Sequence, residues 1–467
     1  MIRNKIRILL IAAAAALLLL PAISLAAGPG EVGYVFRVNQ SGAVSNDGPF
    51  KVTVTSVNPN TVEAFALLDN TSGWITVPAE VKDAAGNKYA VTAIADKAFS
   101  GNWKVNSVTI PGSVTKIGVS AFEECSALNS VTLANGLTQI GNYAFRKCKA
   151  LRGISIPDSV TQIGMYAFAN CSELASVSLP SGLTVLNTGV FNGCGKLNNV
   201  RLPNGLTQIG GYAFAECSGL SSITFPDGLT KILNYAFRNC ALTDIALPDG
   251  VTSIDKYAFY HNTSLQTVSL PPSLSSMSTY AFANCTALTC ILIPDTIGSI
   301  NSSAFSGCTT SKLNVIFYDR NKTSAMSSFA KAYNMLPSGL KKNAFCVSFG
   351  TERPANGTLS ADIRLVGSTP RCGVDVSVND GYAVTAVKAN DETIGTESGH
   401  YTYGLTPVAW SEGGTLAPVV FSADIINKGS PSGDPLPPTG DASAPLLWLT
   451  LCLLSASAVF TLRRKRS

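Results

Sequence analysis

A phenylalanine that recurs about every 23 residues constrains the fold of this chain more than any other feature. One copy is shortened to 22 residues, where Cys240-Ala241-Leu242 replaces the longer Cys217-Ser218-Gly219-Leu220 of the preceding copy. A fixed period of this length predicts a solenoid of stacked units, because a single unit is too small to bury its own apolar residues. The repeated phenylalanines are Phe99, Phe122, Phe145, Phe168, Phe191, Phe214, Phe237, Phe259, Phe282 and Phe305.

Each repeat contains a short alternation of apolar and polar residues, as in Asn199-Val200-Arg201-Leu202-Pro203. An alternation with a period of two predicts a half-buried strand, and the proline ends it because proline has no N–H group to donate. Pro203-Asn204-Gly205 then suits a tight turn, and Tyr212-Ala213-Phe214 is predicted to lie on about one helical turn. We therefore expect short parallel strands and short helical turns, with the apolar strand pairs, the isoleucine of each Ile-Gly and the phenylalanine column as the core.

These repeats resemble the BspA-like family of leucine-rich repeats, which is known from bacterial surface proteins. The resemblance covers about residues 75–313, and Ile75-Thr76-Val77-Pro78 and Tyr89-Ala90-Val91-Thr92-Ala93-Ile94 are similar to the segment that leads into the family's first repeat. It implies a leucine-rich-repeat solenoid that serves in adhesion, and the phenylalanine column gives it about ten repeats.

The segments around the repeats predict further domains. We expect a β-rich N-terminal cap over residues 28–88, the repeats over 89–310 and a C-terminal cap over 311–340. Within the C-terminal cap, Leu313–Phe317 is strand-like, and Ser324–Tyr333 is a candidate for a short helix that covers the end of the solenoid.

A small all-β domain is predicted over residues 341–427, because five segments there alternate like strands. It weakly resembles the β-repeat modules beside the leucine-rich repeats of internalin-like surface proteins. Residues 428–435 are rich in Gly, Ser and Pro and predict a flexible linker. The five strand-like segments are Ala344–Gly350, Thr358–Val366, Gly373–Val378, Ala383–Ala389 and Val419–Ile425.

Residues 1–27 have the order of a secretory signal peptide. Arg3, Lys5 and Arg7 precede an apolar run, Ile8–Leu20, and small residues lead up to Ala27. The alternative is an uncleaved membrane anchor, but the apolar run is short and a cleavage-like site follows it. We expect the mature chain to be secreted.

Residues 436–467 carry a second targeting signal, which resembles the cell-wall sorting signal of Gram-positive surface proteins. The apolar run Ala444–Leu462 is about long enough to span a membrane, and four basic residues close the chain. The resemblance implies that a sortase cleaves after Thr439 and joins it to peptidoglycan on the extracellular face; a plain C-terminal membrane anchor is the alternative. The sortase motif is Leu436, Pro437, Pro438, Thr439 and Gly440.

The net charge of +5 comes from these two terminal signals. The pieces removed by processing carry seven of the basic residues and one of the acidic residues, which leaves 27 basic and 28 acidic residues in the mature chain. A nearly neutral chain lacks the positive surface that phosphate binding needs. We therefore expect no nucleic-acid partner.

Eight cysteines share one repeat position, three residues after the phenylalanine, and Asn102 and Asn262 take that position in two other repeats. The 23-residue spacing and the near absence of histidine disfavour a metal site. Disulfides between neighbouring repeats and a buried column of free thiols both remain open, with free thiols favoured because stacked side chains point in parallel. A disulfide between Cys346 and Cys372 is also conceivable. The column is Cys125, Cys148, Cys171, Cys194, Cys217, Cys240, Cys285 and Cys308.

Two surfaces are candidates for ligand contact. A tyrosine column either stacks on sugars or proteins, or covers the flank of the solenoid with only its hydroxyls in water. The outward strand positions are small, polar and mostly uncharged, and they lack the aromatic and arginine anchors of tight interfaces. The tyrosines are Tyr143, Tyr166, Tyr212, Tyr235, Tyr257 and Tyr280. The outward pairs are Ser107/Thr109, Ser130/Thr132, Gly153/Ser155, Ser176/Ser178, Asn199/Arg201, Ser222/Thr224, Asp244/Ala246, Thr267/Ser269 and Cys290/Leu292.

Catalysis finds little support in the sequence. His261 and His400 are the two histidines, and no nucleophile-base set, phosphate loop or paired carboxylates stand out. We expect no catalytic residue, cofactor or metal. The favoured interpretation is an adhesion or protein-binding surface protein that contacts a host or neighbouring cell. The alternative is a glycan-binding or structural surface component without a protein partner.

Overall fold

The computed structural model is a β-solenoid of about ten turns with little helix. It describes residues 29, 31, 35–45, 50–67, 73–320, 329–352, 354, 357–366, 369–380, 382–405, 407–409, 411 and 418–427. The chain forms two compact units, Met1–Pro203 and Asn204–Ser467. The domain boundaries inferred from the sequence stay predictions.

The first unit begins with strands that are not part of the regular repeats. Val35–Val38, Phe50–Val57 and Asn60–Leu67 pair in antiparallel fashion, in that order. Asn60–Leu67 then pairs in parallel with Lys88–Ile94, whose other edge pairs in parallel with the first short repeat strand. Glu80–Lys82 pairs with Lys88–Ile94 in antiparallel fashion. These strands give the repeats a paired edge at their N-terminal side.

Most repeats contribute two short strands, and the strands of successive repeats pair in parallel within each unit. The first strand of each repeat carries apolar residues of the strand pair, and the second carries the isoleucine, leucine or methionine that follows the turn; we call these the first-row and second-row strands. First-row strands of the N-terminal unit are Gly73–Thr76, Val105–Ile110, Ser130–Leu133, Gly153–Ser155, Ser176–Ser178 and Asn199–Arg201. Its second-row strands are Lys116–Ile117, Gln139–Ile140, Gln162–Ile163 and Val185–Leu186.

The second unit continues both kinds of strand. Its first-row strands are Asp244–Ala246, Thr267–Ser269, Cys290–Pro294 and Asn314–Asp319. Its second-row strands are Gln208–Ile209, Lys231–Ile232, Ser253–Ile254, Ser276–Met277 and Ser299–Ile300.

The phenylalanine column is buried between the strands and the turns, as predicted. Phe145 and Phe168 are each 0% exposed, and their ring centroids lie 5.3 Å apart with nearly parallel planes. The isoleucine, leucine or methionine of each second-row strand is buried beside this column. Because each ring packs on the ring of the next repeat, burial is shared between repeats, which explains why one repeat cannot fold alone.

The predicted helical turn at the phenylalanine is wrong. Tyr143 has a φ of 58° and Lys147 a φ of 61°, whereas an α-helix needs a φ near −63°. The backbone forms consecutive four-residue turns instead, in one of which the Arg146 N–H group donates to the Tyr143 carbonyl at 3.0 Å. The alternate N–H groups donate across to the next repeat, as Phe145 does to the Ala167 carbonyl at 2.8 Å. Bonding between repeats therefore replaces the bonding within a helix.

The C-terminal part of the second unit is built mainly of strands. The helices Ala330–Met335 and Ser338–Lys341 precede them; the first overlaps the predicted helix, of which residues 324–328 lie outside the described part. All five predicted strands of residues 341–427 are present, and three others were missed. The observed strands are Ala344–Thr351, Gly357–Val366, Thr369–Val378, Tyr382–Ala389, Glu392–Gly395, Gly399–Gly404, Val408–Ala409 and Val419–Asn427.

One sheet joins the repeats of the second unit to these strands. Asn314–Asp319, the last first-row strand, pairs in parallel with Ala344–Thr351. Ala344–Thr351 in turn pairs in parallel with Val419–Asn427. The sheet therefore continues without a break across the boundary that was predicted at residue 340.

Candidate binding surfaces

The outward face of the first-row strands is open in the N-terminal unit. Thr109, Thr132 and Ser155 are exposed, while Val108 and Val131 on the same strands are buried. The register places one outward pair beside the next, as Ser155 faces Ser178 and Ser178 faces Arg201. This face is therefore a nearly flat, hydroxyl-rich surface that runs across six strands of the unit.

Trp74 is an aromatic side chain on this face that the sequence interpretation missed. It lies on Gly73–Thr76 in register with Ser107, and its side chain is 83% exposed. The strand precedes the first phenylalanine, so the repeat pattern did not include its outward position. The alternation Trp74-Ile75-Thr76, with Ile75 buried, is the signal that could have placed the ring outside.

The same face is covered in part of the second unit, which corrects the sequence-based assignment of four outward positions. Thr267 and Ser269 are 4% and 6% exposed, and Cys290 and Leu292 are fully buried. Cys290 and Leu292 belong to an apolar cluster with residues of the C-terminal strands, such as Ile363. The positions are buried because a non-repeating part of the chain packs against the strands.

Polar contacts fix this covering layer to the repeats. The N–H group of Leu365 donates to Ser269 Oγ at 3.1 Å. The guanidinium of Arg320 forms two hydrogen bonds to the Asp249 carboxylate, at 3.0 and 3.3 Å. A groove of about 500 Å³, lined in part by Asp244 and Tyr318, lies along this layer.

The tyrosine column is half-buried, and its rings stack on each other. The ring centroids of Tyr235 and Tyr257 lie 4.7 Å apart with an interplanar angle of 3°. Tyr143 and Tyr166 stack at 5.7 Å. Tyr257 and Tyr280 stack at 5.0 Å, and Tyr212 and Tyr235 at 4.7 Å. Because a stacked ring has a neighbour on its face, the column offers mainly ring edges and hydroxyls to a ligand, and ligand contact by this column stays a prediction.

Every thiol of the cysteine column is buried, and the hydrogen bonds of seven of them follow one pattern. The Sγ of Cys171 donates to the carbonyl of Phe145 in the preceding repeat at 3.1 Å. Asn262 makes the same bond, because its side-chain amide donates to the Phe237 carbonyl at 2.7 Å. Asparagine can therefore replace cysteine here because both side chains supply a donor. The other matching bonds are made by Cys125, Cys148, Cys194, Cys240, Cys285 and Cys308.

Comparison with known families identifies the repeats. Residues 92–202 and 185–312 match the BspA type leucine rich repeat region, in six copies. The solenoid belongs to the BspA-type leucine-rich repeats. No curated protein shows a significant match to the chain.

Several solved structures are similar to this chain in sequence. A leucine-rich repeat protein from Bacteroides ovatus is 27% identical over 65% of this chain and 84% of its own, with a TM-score of 0.43. A leucine-rich cell surface protein from Faecalibacterium prausnitzii is 26% identical over 65% of this chain and 94% of its own, with a TM-score of 0.38. A leucine-rich repeat protein from Bacteroides capillosus is 32% identical over 29% of this chain and 96% of its own, with a TM-score of 0.26.

The cysteines of the BspA-type repeats are free thiols, as are Cys346 and Cys372, which form no disulfide with each other. Burial raises the pKa of Cys125 and of Cys194 to about 12. A thiol needs to lose its proton to attack an electrophile, so these side chains are chemically inert while the repeats are folded.

The cysteines of the native chain are therefore expected to resist alkylation. With a pKa of about 12, roughly one thiol in ten thousand is ionised at pH 8, and burial blocks access as well. Iodoacetamide at pH 8, followed by mass spectrometry, should leave the 11 described cysteines unmodified in native chain and label all of them in urea. Rapid labelling of the column in native chain would contradict the buried arrangement.

Two carboxyl groups lie close together where the BspA-type repeats meet the C-terminal strands. Asp319 is 1% exposed and accepts a hydrogen bond from Ser348 Oγ at 3.3 Å. Burial, and then the negative charge of Asp319, raise the pKa of Asp295 to about 6. The folded chain therefore holds the proton of Asp295 more tightly than the unfolded chain does.

Replacing Asp295 with asparagine is expected to stabilise the second unit above pH 6. The raised pKa contributes stability that is complete below pH 4 and is lost as the pH rises through 6, and asparagine removes this loss. We expect a gain of about 1 kcal/mol at pH 8, after allowance for the half-exposed carboxyl, and none at pH 4. Urea unfolding at the two pH values measures it.

Asp158 is the matched control for this substitution. It holds the same turn position, but its side chain accepts a hydrogen bond from the Ser181 N–H group at 2.7 Å, which lowers its pKa. Asp158→Asn should therefore bring no gain at pH 8. Equal effects of the two substitutions would show that the burial of Asp295 and the nearby charge of Asp319 are not the cause of the gain.

Each of the two histidines contacts one polar side chain. His261 Nδ1 bonds to Asn239 Oδ1, and His400 Nδ1 lies 2.8 Å from Asp375 Oδ1 at an exposed position. In the described part of the chain, no group of three His, Cys, Asp or Glu side chains is placed to hold a metal ion. No helix among the described residues is long and apolar enough to cross a membrane. The signal peptide, 1–27, and the sorting signal, 436–467, lie outside those residues.

Proposed function

We propose that this chain is a secreted bacterial surface protein, joined to peptidoglycan through Thr439, that presents its repeats for adhesion or protein binding at a host or neighbouring cell surface. Membership of the BspA-type repeats supports a surface repeat protein. The order of the terminal signals in residues 1–27 and 436–467 supports export, cleavage by a sortase and wall attachment. The proposal assigns the chain no catalytic step.

The open face of the first-row strands carries this proposal. Five of the six strands between Gly73 and Arg201 present hydroxyl side chains to solvent, and the sixth presents Asn199 and Arg201. A flat face without deep apolar pockets favours weak contacts that add up along the repeats. Attachment to a cell wall suits such contacts, because many copies then face the same partner surface.

Cells of a Gram-positive host that display the full chain provide the test. We expect them to bind at least one immobilised matrix protein, mucin or cell-surface protein, and cells without the chain not to bind it. Thr132→Glu with Ser155→Glu on the open face should weaken binding about tenfold or more. The matched control is Thr138→Glu with Thr161→Glu, at exposed positions outside the first-row strands, and it should bind like the original. Equal loss in both pairs, or no binding at all, would reject the open face as the contact surface.

A second candidate function is glycan binding without a protein partner. Trp74, 83% exposed beside a row of hydroxyl groups, favours it because sugars present both an apolar ring face and hydroxyls. In the same display assay, binding to glycans alone would support this candidate. Chemical turnover of any ligand would overturn both proposals.

Wall attachment has its own test. Thr439→Ala in the full chain should release the protein from its covalent link to peptidoglycan. The wild-type chain is expected to leave the wall only after digestion with a muralytic enzyme, whereas the variant should be extracted by hot detergent. A variant that still needs digestion would show that residues 436–440 are not the sorting motif.

A further inference from the structure

A groove in the N-terminal unit lies between two rows of exposed or half-buried positions, one on each side of the buried cysteine column. One row lies one residue before each column position, and we call it the preceding row; the other lies one residue after it, and we call it the following row. The space between them is about 900 Å³. The preceding row is Gly101, Glu124, Lys147, Asn170 and Gly193, and the following row is Trp103, Ser126, Lys149 and Ser172. We call this space the Trp103 groove.

The backbone of the preceding row is held in one conformation. Glu124, Lys147 and Asn170 all have a φ near 60°, and the two glycines also have positive φ. The N–H groups of Glu124 and Lys147 donate to carbonyls of the next repeat, each at 2.8 Å. A ligand in the groove would therefore meet side chains whose spacing is already set, which lowers the entropy that binding costs.

Trp103 gives the groove an aromatic wall. Its side chain is 64% exposed, and the ammonium of Lys104 lies 5.3 Å from the centre of a ring of its indole. Apart from this indole, the lining side chains are charged or polar. The groove thus has no aliphatic pocket to take the apolar anchor residue of a protein partner.

The charges in the groove are mainly positive. The ammonium of Lys147 pairs with the Glu124 carboxylate. The ammonium of Lys149 makes no ion pair within the described part of the chain. Two ammonium groups against one carboxylate leave one positive charge, which suits a ligand that carries negative charge.

We propose that the Trp103 groove binds an acidic polysaccharide. A sugar ring has an apolar face that can pack on the indole, and its hydroxyls can bond to Ser126, Asn170 and Ser172. Carboxylate or sulfate groups face Lys147 and Lys149. The groove repeats its charged and polar positions once per repeat, so they can contact successive units of a polysaccharide. This inference rests on the proposed surface location and names one ligand class for it.

Display of the full chain on cells, with fluorescent polysaccharides as probes, tests the proposal. Heparin supplies sulfates, polygalacturonate supplies carboxylates, dextran is the neutral control and poly-glutamate represents an acidic peptide. We expect saturable binding of heparin or polygalacturonate that weakens with added salt, and no binding of dextran. Preference for dextran or for poly-glutamate would overturn the proposal.

Matched variants locate the binding. Trp103→Ala and Lys149→Glu should each weaken polysaccharide binding about tenfold. Met165→Ala and Lys82→Glu, which change an exposed apolar residue and an exposed lysine of the same unit outside the groove, should leave it within about twofold. Equal effects in the groove and control variants would place the ligand elsewhere. If the displayed chain binds a matrix protein but none of the acidic polysaccharides, the groove proposal fails and the proposed adhesive function stands.

Discussion

Replacing Phe168 with alanine is expected to lower the free energy of unfolding of the N-terminal unit by about 3–5 kcal/mol. The side chain is 0% exposed, and its ring stacks on Phe145 at 5.3 Å and on Phe191 at 5.8 Å. Alanine would leave a cavity that touches two neighbouring repeats. Because repeats are stabilised mainly by their neighbours, the loss should spread to both interfaces of this repeat. Urea unfolding of the full chain, followed by circular dichroism, measures the change.

Two further substitutions show whether volume is the cause. Phe168→Leu keeps most of the apolar volume and should cost about half as much as alanine or less. Ser176→Ala changes an exposed outward position of the same repeat and should stay within about 0.5 kcal/mol of the original. A loss below about 1 kcal/mol for Phe168→Ala would mean that the column is not a stabilising core.

Leu292→Asp is expected to destabilise the second unit by about 4 kcal/mol or more. Leu292 is fully buried in the apolar cluster between the first-row strands and the C-terminal strands. A carboxylate there has no water and no positive partner among the clustered residues, so the covering strands are expected to detach. Limited proteolysis should then cut within residues 341–427 of the variant at protease concentrations that leave the original chain intact, and urea unfolding gives the size of the loss.

Ser155→Asp provides the control because Ser155 occupies the same repeat position on the open face of the other unit. Its side chain is exposed, so the added charge stays in water, and the free energy of unfolding should change by less than about 0.5 kcal/mol. Similar losses in both variants would mean that the charge disturbs the strands themselves. A small loss in Leu292→Asp would mean that the C-terminal strands do not cover this face in solution.

The repeat pattern predicted the interior of the solenoid correctly. Phe168, Cys171 and Ile163 are all 0% exposed, as their columns in the sequence indicated. Such predictions succeed because each side chain packs against residues of its own and the adjoining repeats, where the same pattern is present. The strands of residues 341–427 were found for a similar reason, since alternation over eight or ten residues is a local signal.

The helical turn at the phenylalanine could not be judged from the sequence in the same way. Alanine and phenylalanine three residues before a cysteine fit a helical turn as well as a stacked turn. The choice depends on where the N–H groups donate, and the carbonyls of the next repeat accept them, as Ala167 does for Phe145. A sequence pattern does not reveal that competition.

The sequence by itself determined the period, the core columns and the position of the cysteine column of this protein, whereas the structure decided that its thiols are free. Only the tertiary structure decided which surface is open, because covering depends on residues distant in the chain, such as Leu365, which bonds to Ser269 across 96 positions. The change from serine and threonine to Cys290 and Leu292 at the outward positions was the single local trace of this layer. The Trp103 groove likewise arises from positions 23 residues apart that become neighbours only when the repeats stack. The repeat period indicates which side chains each repeat buries. Which surfaces stay exposed depends on contacts with segments of the chain that do not share the repeat pattern.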